Sequence, residues 1–139
     1  MTVIVDMANV VGSRPDGWWR DRVGATARLL QALAPLVGTV VVGPDGAPIT
    51  LTAIEAVVEG QARAVNAAAA EPVRVVRAER DGDTTIVERA THGAGQASGS
   101  APDGVLVVTA DRGLRDRLPT GVALAGPRWL LDLSGSGHG

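Results

Sequence analysis

The sequence predicts an α/β fold of three layers, with helices on both faces of a mostly parallel central sheet, and three observations carry that prediction. First, Thr2 to Val5 and Val105 to Val108 are unbroken apolar runs rich in β-branched residues, as strands buried on both faces require. Second, such runs alternate with segments of helical period, the order that a doubly wound sheet with right-handed crossovers produces. Third, both runs stop on an acid, Asp6 and Asp111, and sheets of this kind bind ligands outside the carboxyl ends of their strands.

Thr2 to Val5 is the first strand, with Asp6 at its end and Asn9 three residues on. Gly12 to Gly17, dense in Pro, Asp and Gly, has the chemistry of a loop. From about Trp19 to Ala34, Val23, Ala27, Leu30 and Ala34 recur at helical spacing, and Pro35 ends the helix. Thr39 to Val42 reads as strand, and Gly43-Pro44-Asp45-Gly46 turns the chain into Ile49 to Thr52, so a hairpin is expected. Ile54 to Val58, closing on Glu59 and Gly60, fits either a strand or the start of a helix through Val65; strand is the preferred reading.

Asn66 to Ala70 is Ala-rich and reads as helix up to Pro72, after which Val73, Val75 and Val76 make a strand that leaves through Glu79 to Asp83. Asp83 and Thr84 can cap a helix from Thr85 to about Ala90, and Gly93 to Gly104, without a hydrophobic stripe, reads as a mobile loop. Past Val108 come Thr109 and Asp111, then a short helix from Arg112 to Leu118 stopped by Pro119. Val122 to Leu124 is the last strand, and Pro127 opens a final helical turn through Leu133. Residues 1–133 therefore form one domain, and residues 134–139 a frayed tail.

Composition narrows the chemistry. With 45% hydrophobic residues but no Phe or Tyr, the core is filled by Val, Leu, Ile and Ala. A net charge of −2 gives no bulk attraction for nucleic acid, so any phosphate partner needs a local site. The absence of cysteine excludes disulfides, thiolate metal sites and thiol nucleophiles. No run of about 18 apolar residues and no basic-then-apolar leader is present, so no membrane partner is expected and a cytoplasmic location is.

Asp6, Asp83 and Asp111 all follow strands and are expected on one edge of the sheet. Close carboxylates disfavour one another's ionisation, so such a cluster either binds a cation or carries raised pKa values. Oxygen-only donors suit Mg²⁺ or Mn²⁺, and a phosphodiester is the natural electrophile for that centre. The plainer reading of Asp6 and Asp111 is a capping acid after a strand, and of Asp83 a helix N-cap; capping and ligation can coexist. Trp18 and Trp19, with Arg14 ahead of them and Arg20 and Arg22 after them, lie where aromatics and guanidiniums can stack a base and hold phosphate, although the commoner arrangement of such a pair puts one Trp in the core. Trp129 reads as a core filler, and His92 and His138 as exposed.

Three motifs carry a family resemblance: Val5-Asp6-x-x-Asn9, Asp81-Gly82-Asp83-x-x-Ile86, and Val107-Val108-Thr109-x-Asp111-Arg112-x-Leu114. In order and spacing they resemble the PIN-like nuclease superfamily, in its NYN branch, and within it the YacP-like NYN proteins. The resemblance runs from about Thr2 to Leu133 and implies a PIN-like fold and a metal-dependent ribonuclease. It makes Asp6, Asp83 and Asp111 the metal acids, with Asp81 the alternative in the middle motif. Asn9 would hold a water, a phosphate or a neighbouring acid. Thr109 would orient Asp111, Arg112 would bind phosphate or cap the acid cluster, and Asp116 would be an outer acid one helical turn further on. It also brings an RNA partner and pairing into a homodimer as expectations. One departure stands out: the family commonly has Gly after the first acid, where this chain has Met7. A nucleotide pyrophosphohydrolase using the same cation, and a degenerate PIN-like module that binds RNA or protein without turnover, are the competing expectations.

Overall fold

The computed structural model describes residues 1–13, 20–97 and 104–135. Five parallel strands form one sheet in the order β5-β4-β1-β6-β7, comprising β1 (Thr2–Asp6), β4 (Ala53–Val58), β5 (Arg74–Arg77), β6 (Val105–Val108) and β7 (Ala123–Ala125). Among the described residues, five α-helices accompany it: α1 (Met7–Gly12), α2 (Arg22–Leu33), α3 (Gly82–Ala97), α4 (Arg112–Arg117) and α5 (Pro127–Leu133). The remaining strands, β2 (Val40–Val42) and β3 (Pro48–Thr50), pair antiparallel as the expected hairpin. They stand outside the main sheet, which leaves Val40 and Val42 exposed.

The period-2 geometry of β1 divides the core in two. Val3 and Val5 point to the face covered by Leu29, Leu30 and Leu33 of α2, Val10 of α1 and Leu130 of α5. Ile4 points to the other face, against Ile86 and Ala90 of α3 and Leu114 of α4. The three-layer α/β/α arrangement follows, because a strand apolar on both sides needs a helical cover on each.

Chain order makes β1 the hinge of the topology. From β1 the chain crosses to β4 and β5 on one side, then returns through α3 to β6 and β7 on the other. The direction of winding reverses between β1 and β6, and crevices of this kind at the carboxyl edge are where open α/β sheets place their ligands. The pairing Val5↔Val108 brings Asp6 and Thr109 abreast at that edge. On the other flank Asp6 pairs with Val57, so Glu59 emerges two residues beyond it.

Several boundaries differ from the sequence reading. Met7–Gly12 is helical at once after the strand, because Asp6 itself supplies the cap. Ile54–Val58 is strand, as preferred. Asn66 to Ala70 contains only a 3-10 turn at Ala68–Ala70, since the segment is too short, with Pro72 close behind, to propagate an α-helix. The helix expected over residues 85–90 runs from Gly82 to Ala97, so residues 93–97, read as loop, are helical; small residues lack a stripe but Ala sustains helix well. The rest of that expected loop, 98–103, lies outside the described residues, as do residues 136–139 of the expected tail. Among the described residues, no helix is long and apolar enough to cross a membrane.

A buried carboxylate paired with two solvent-facing arginines ties β4 to its neighbours. Glu55, 8% exposed, accepts from Arg89 Nε at 2.8 Å and lies 3.6 Å from Arg74 on β5. Arg89→Ala strips the better partner from a buried carboxylate and is expected to cost about 2 kcal/mol, less than the loss of a sole partner because Arg74 remains. A urea unfolding curve with unchanged m and a lower midpoint is the check.

Candidate metal centre

Asp6 ends β1 and caps α1 in one residue. Its Oδ1 accepts from the Asn9 backbone N–H at 3.3 Å, and its Oδ2 accepts from the Thr109 hydroxyl at 3.0 Å. Both groups are buried, Asp6 at 6% exposure and Thr109 at 0%. The Thr109 hydroxyl in turn accepts from the Asp111 backbone N–H at 3.1 Å, so one oxygen links the ends of β1 and β6. Asp111 caps α4 by accepting from Leu114 N–H at 3.1 Å, which leaves its carboxylate at the exposed rim. Asn9 completes the frame: its side-chain oxygen accepts from Ala110 N–H at 2.8 Å, closing the β6 turn onto α1.

The middle motif separates its two acids. Asp81 is the N-cap of α3, accepting from Thr84 N–H at 2.7 Å, fully exposed and held below the ordinary carboxylate range by that hydrogen bond. Asp83 stands in the first turn of α3 instead of capping it. Partial burial raises its pKa, and the negative charges of Asp111, Glu59 and Asp81 raise it further, against the opposing pull of Arg117. Burial likewise pushes Asp6 up from 3.8 to about 6; the hydrogen bonds from Thr109 and Asn9 counter it, and Asp83 and Glu59 add to it. Asp83 thus lies in the field of Asp111, and Asp6 in the field of Asp83, with Glu59 acting on both.

Glu59 is the acid absent from the sequence candidates. It follows β4 as Asp6 ends β1, and its Oε2 accepts from Gly82 N–H at 2.5 Å. A Cβ at Gly82 would stand 3.2 Å from that oxygen, so the glycine between Asp81 and Asp83 lets α3 start against Glu59. Its signal was present, an apolar run closing on an acid, and was obscured because that run also fits a helix. Two arginines were missed as well. Arg115 donates to the Thr109 carbonyl from Nε at 2.9 Å and Nη2 at 2.6 Å, bracing the turn that carries Asp111. Arg117, 3.4 Å from the Thr84 hydroxyl, supplies the positive charge beside Asp83.

Arg112 and Asp116 are exposed on α4, and Arg20 is exposed just ahead of α2. Arg14, Trp18 and Trp19 lie outside the described residues, as does His138, while His92 is exposed on α3. Trp129 is partly buried against the core and donates from Nε1 to the Val42 carbonyl at 3.0 Å. Met7 is 1% exposed and packs into the core beneath α1, so it does not project into the crevice.

Among the described residues, no three carboxylates or imidazoles are drawn together closely enough to enclose an ion. The donor chemistry nevertheless suits Mg²⁺ or Mn²⁺: Mg²⁺ commonly uses one or two carboxylates and retains waters, and the ligands on offer are hard oxygens whose mutual repulsion a cation would relieve. Thr109→Val would leave Asp6 Oδ2 and the Asp111 N–H without their shared partner. A loss of about 2 kcal/mol in urea denaturation is expected. The pKa of Asp6 should also rise further, because the Thr109 hydrogen bond is the main influence lowering it.

No known family's sequence pattern matches the chain, and no curated protein matches it in sequence. Among solved structures, a point mutant of Rae1 (YacP) from Bacillus subtilis superposes with a TM-score of 0.67 at 18% identity, covering 97% of this chain and 75% of that one. With its five-stranded parallel sheet and a helical layer on each face, the chain has the YacP-like NYN fold.

Proposed function

We propose that the protein is a metal-dependent ribonuclease, hydrolysing phosphodiesters at the carboxyl edge of its sheet. The observation that carries this reading is the set of four acids from four separate elements, Asp6, Glu59, Asp83 and Asp111, two of which, Asp6 and Asp83, have pKa values raised by burial and by neighbouring acids. An acid cluster costs stability unless a cation or a proton relieves it. The chemistry a divalent cation supplies when bound there is neutralisation of phosphate charge and activation of a water for in-line attack.

The chain's own residues perform the positioning. Asp6, Asp83 and Asp111 would hold the cation, one or two of them directly and the rest through its retained waters, with Glu59 and Asp81 flanking. Thr109 fixes the rotamer of Asp6 and the backbone of Asp111 together, and Asn9 and Arg115 hold the β6 turn in register. Arg117, whose charge acts on Asp83, would supply a counter-charge to a phosphate oxygen, a role that Arg112 at the exposed start of α4 would share. Met7, buried beneath α1, does not narrow access, which removes one argument for a degenerate site.

Incubation of the purified protein with Mn²⁺ and structured or single-stranded RNA tests the proposal. Cleavage by the wild type that Asp111→Asn abolishes is expected. Equal cleavage by both would assign it to a contaminant, and release of pyrophosphate from nucleotides without RNA cleavage would favour the pyrophosphohydrolase.

A further inference from the structure

The 3-10 segment Gly60–Ala64 follows directly on Glu59, and two arginines fasten it to the end of the edge strand β5. Arg77, the last residue of β5, donates from Nε to the Arg63 carbonyl and from Nη2 to the Val65 carbonyl, both at 2.8 Å. Arg63 reaches back, donating from Nη1 to the Ala78 carbonyl at 3.3 Å and from Nε to that of Gly60 at 3.4 Å. The Ala78 N–H donates to the Val58 carbonyl at 2.9 Å, which carries the β4–β5 pairing to the residue just before Glu59. Both arginines are exposed, and holding a long side chain in one geometry at a surface costs entropy. Here the guanidiniums satisfy carbonyls that a single 3-10 turn leaves without partners of its own.

We infer that Arg77 is a positioning residue of the acid site, locking the turn after β4 and so fixing where the Glu59 carboxylate stands. The inference rests on the metal-dependent reading of that site and adds to it a residue outside the acid cluster. Gly60, at φ +59, joins Glu59 to the braced segment through a left-handed conformation that glycine adopts without strain. Such a joint is permissive, and the arginine bonds on its far side remove the freedom it gives. Glu59 makes no side-chain bond to its own 3-10 turn; its Oε2 accepts instead from the Gly82 N–H, one of the first amides of α3, which no carbonyl of that helix can satisfy. From that position its charge acts on both Asp6 and Asp83.

The test reads the Gly82 amide and Mn²⁺ affinity, neither of which needs turnover. Arg77→Met keeps an aliphatic stem and removes both donors. In the metal-free protein it is expected to speed solvent exchange of the Gly82 N–H, followed by NMR, about tenfold, since a hydrogen bond to a charged acceptor is worth a factor of that order. The Mn²⁺ dissociation constant, measured by calorimetry, should rise about tenfold, the usual scale for losing a group that orients a metal-site acid. Arg77→Lys, which can still reach one carbonyl, should recover part of both effects. Arg89→Ala is the control: it weakens the attachment of β4 to α3 without touching the brace, and should leave both readouts at their wild-type values. Should Arg77→Met fail to fold, Arg63→Met loosens the same turn from its other side and must move both readouts in the same direction. An unchanged Gly82 amide, an equal change in Arg89→Ala, or a loosened amide with unaltered Mn²⁺ affinity overturns the inference. A wild type that binds no Mn²⁺, with the Gly82 response as expected, sinks the metal-dependent reading and keeps the brace.

Discussion

Asp6→Asn is expected to make the metal-free protein more stable near neutral pH by about 2 kcal/mol while reducing Mn²⁺-dependent RNA cleavage by about 100-fold or more. The stability term follows from the sign of the shift. Asp6 titrates at about 6 in the folded chain against an ordinary 3.8, so between those values the folded state holds a proton that the unfolded chain has released. Stability therefore falls as pH rises through that window, by roughly 3 kcal/mol at most for a shift of that size. Asn is uncharged and escapes the penalty. It can still cap α1 through its carbonyl oxygen, and the Thr109 hydroxyl can turn to accept from the new amide. Urea denaturation across the window should show a sloping stability for the wild type and a flatter one for the variant. A variant less stable than wild type at neutral pH, with the same slope, would mean that Asp6 is a structural cap and not a strained site acid.

Mn²⁺ is expected to raise the melting temperature of the wild type by about 10 °C at a hundred times its dissociation constant, since a ligand held only by the folded state then contributes about 2.7 kcal/mol. The shift should shrink markedly in Asp83→Asn and in Glu59→Gln, and leave Asp81→Asn close to wild type, because Asp81 is fully exposed and engaged in capping α3. This series also decides the register of the middle motif, where sequence alone leaves Asp81 and Asp83 as alternatives. No shift at millimolar Mn²⁺ would favour a module without turnover over an enzyme.

The parallel sheet and its two helical layers were legible because they rest on local patterning. Val3, Ile4 and Val5 are apolar on both faces of one strand, and only a strand covered from both sides tolerates that. Asp6 and Asp111 were legible for the same reason, since each terminates such a run. The extent of α3 was not, because residues 93–97 carry no stripe and their helical state depends on continuing a helix already nucleated upstream.

By itself, then, the sequence determined the two buried strands at either end of the chain and the acids, Asp6 and Asp111, that follow them. Tertiary structure decided which acids meet. Parallel pairing of β1 with both β4 and β6 brings Glu59 and Thr109 to the flanks of Asp6, across separations of 53 and 103 residues that no local spacing encodes. It also separates Asp81 from Asp83, two residues apart in sequence, because capping turns one to solvent while the first helical turn carries the other toward Asp111 and Glu59. The physical reason is that hydrophobic period is read within a strand or helix, whereas a site is assembled from their ends.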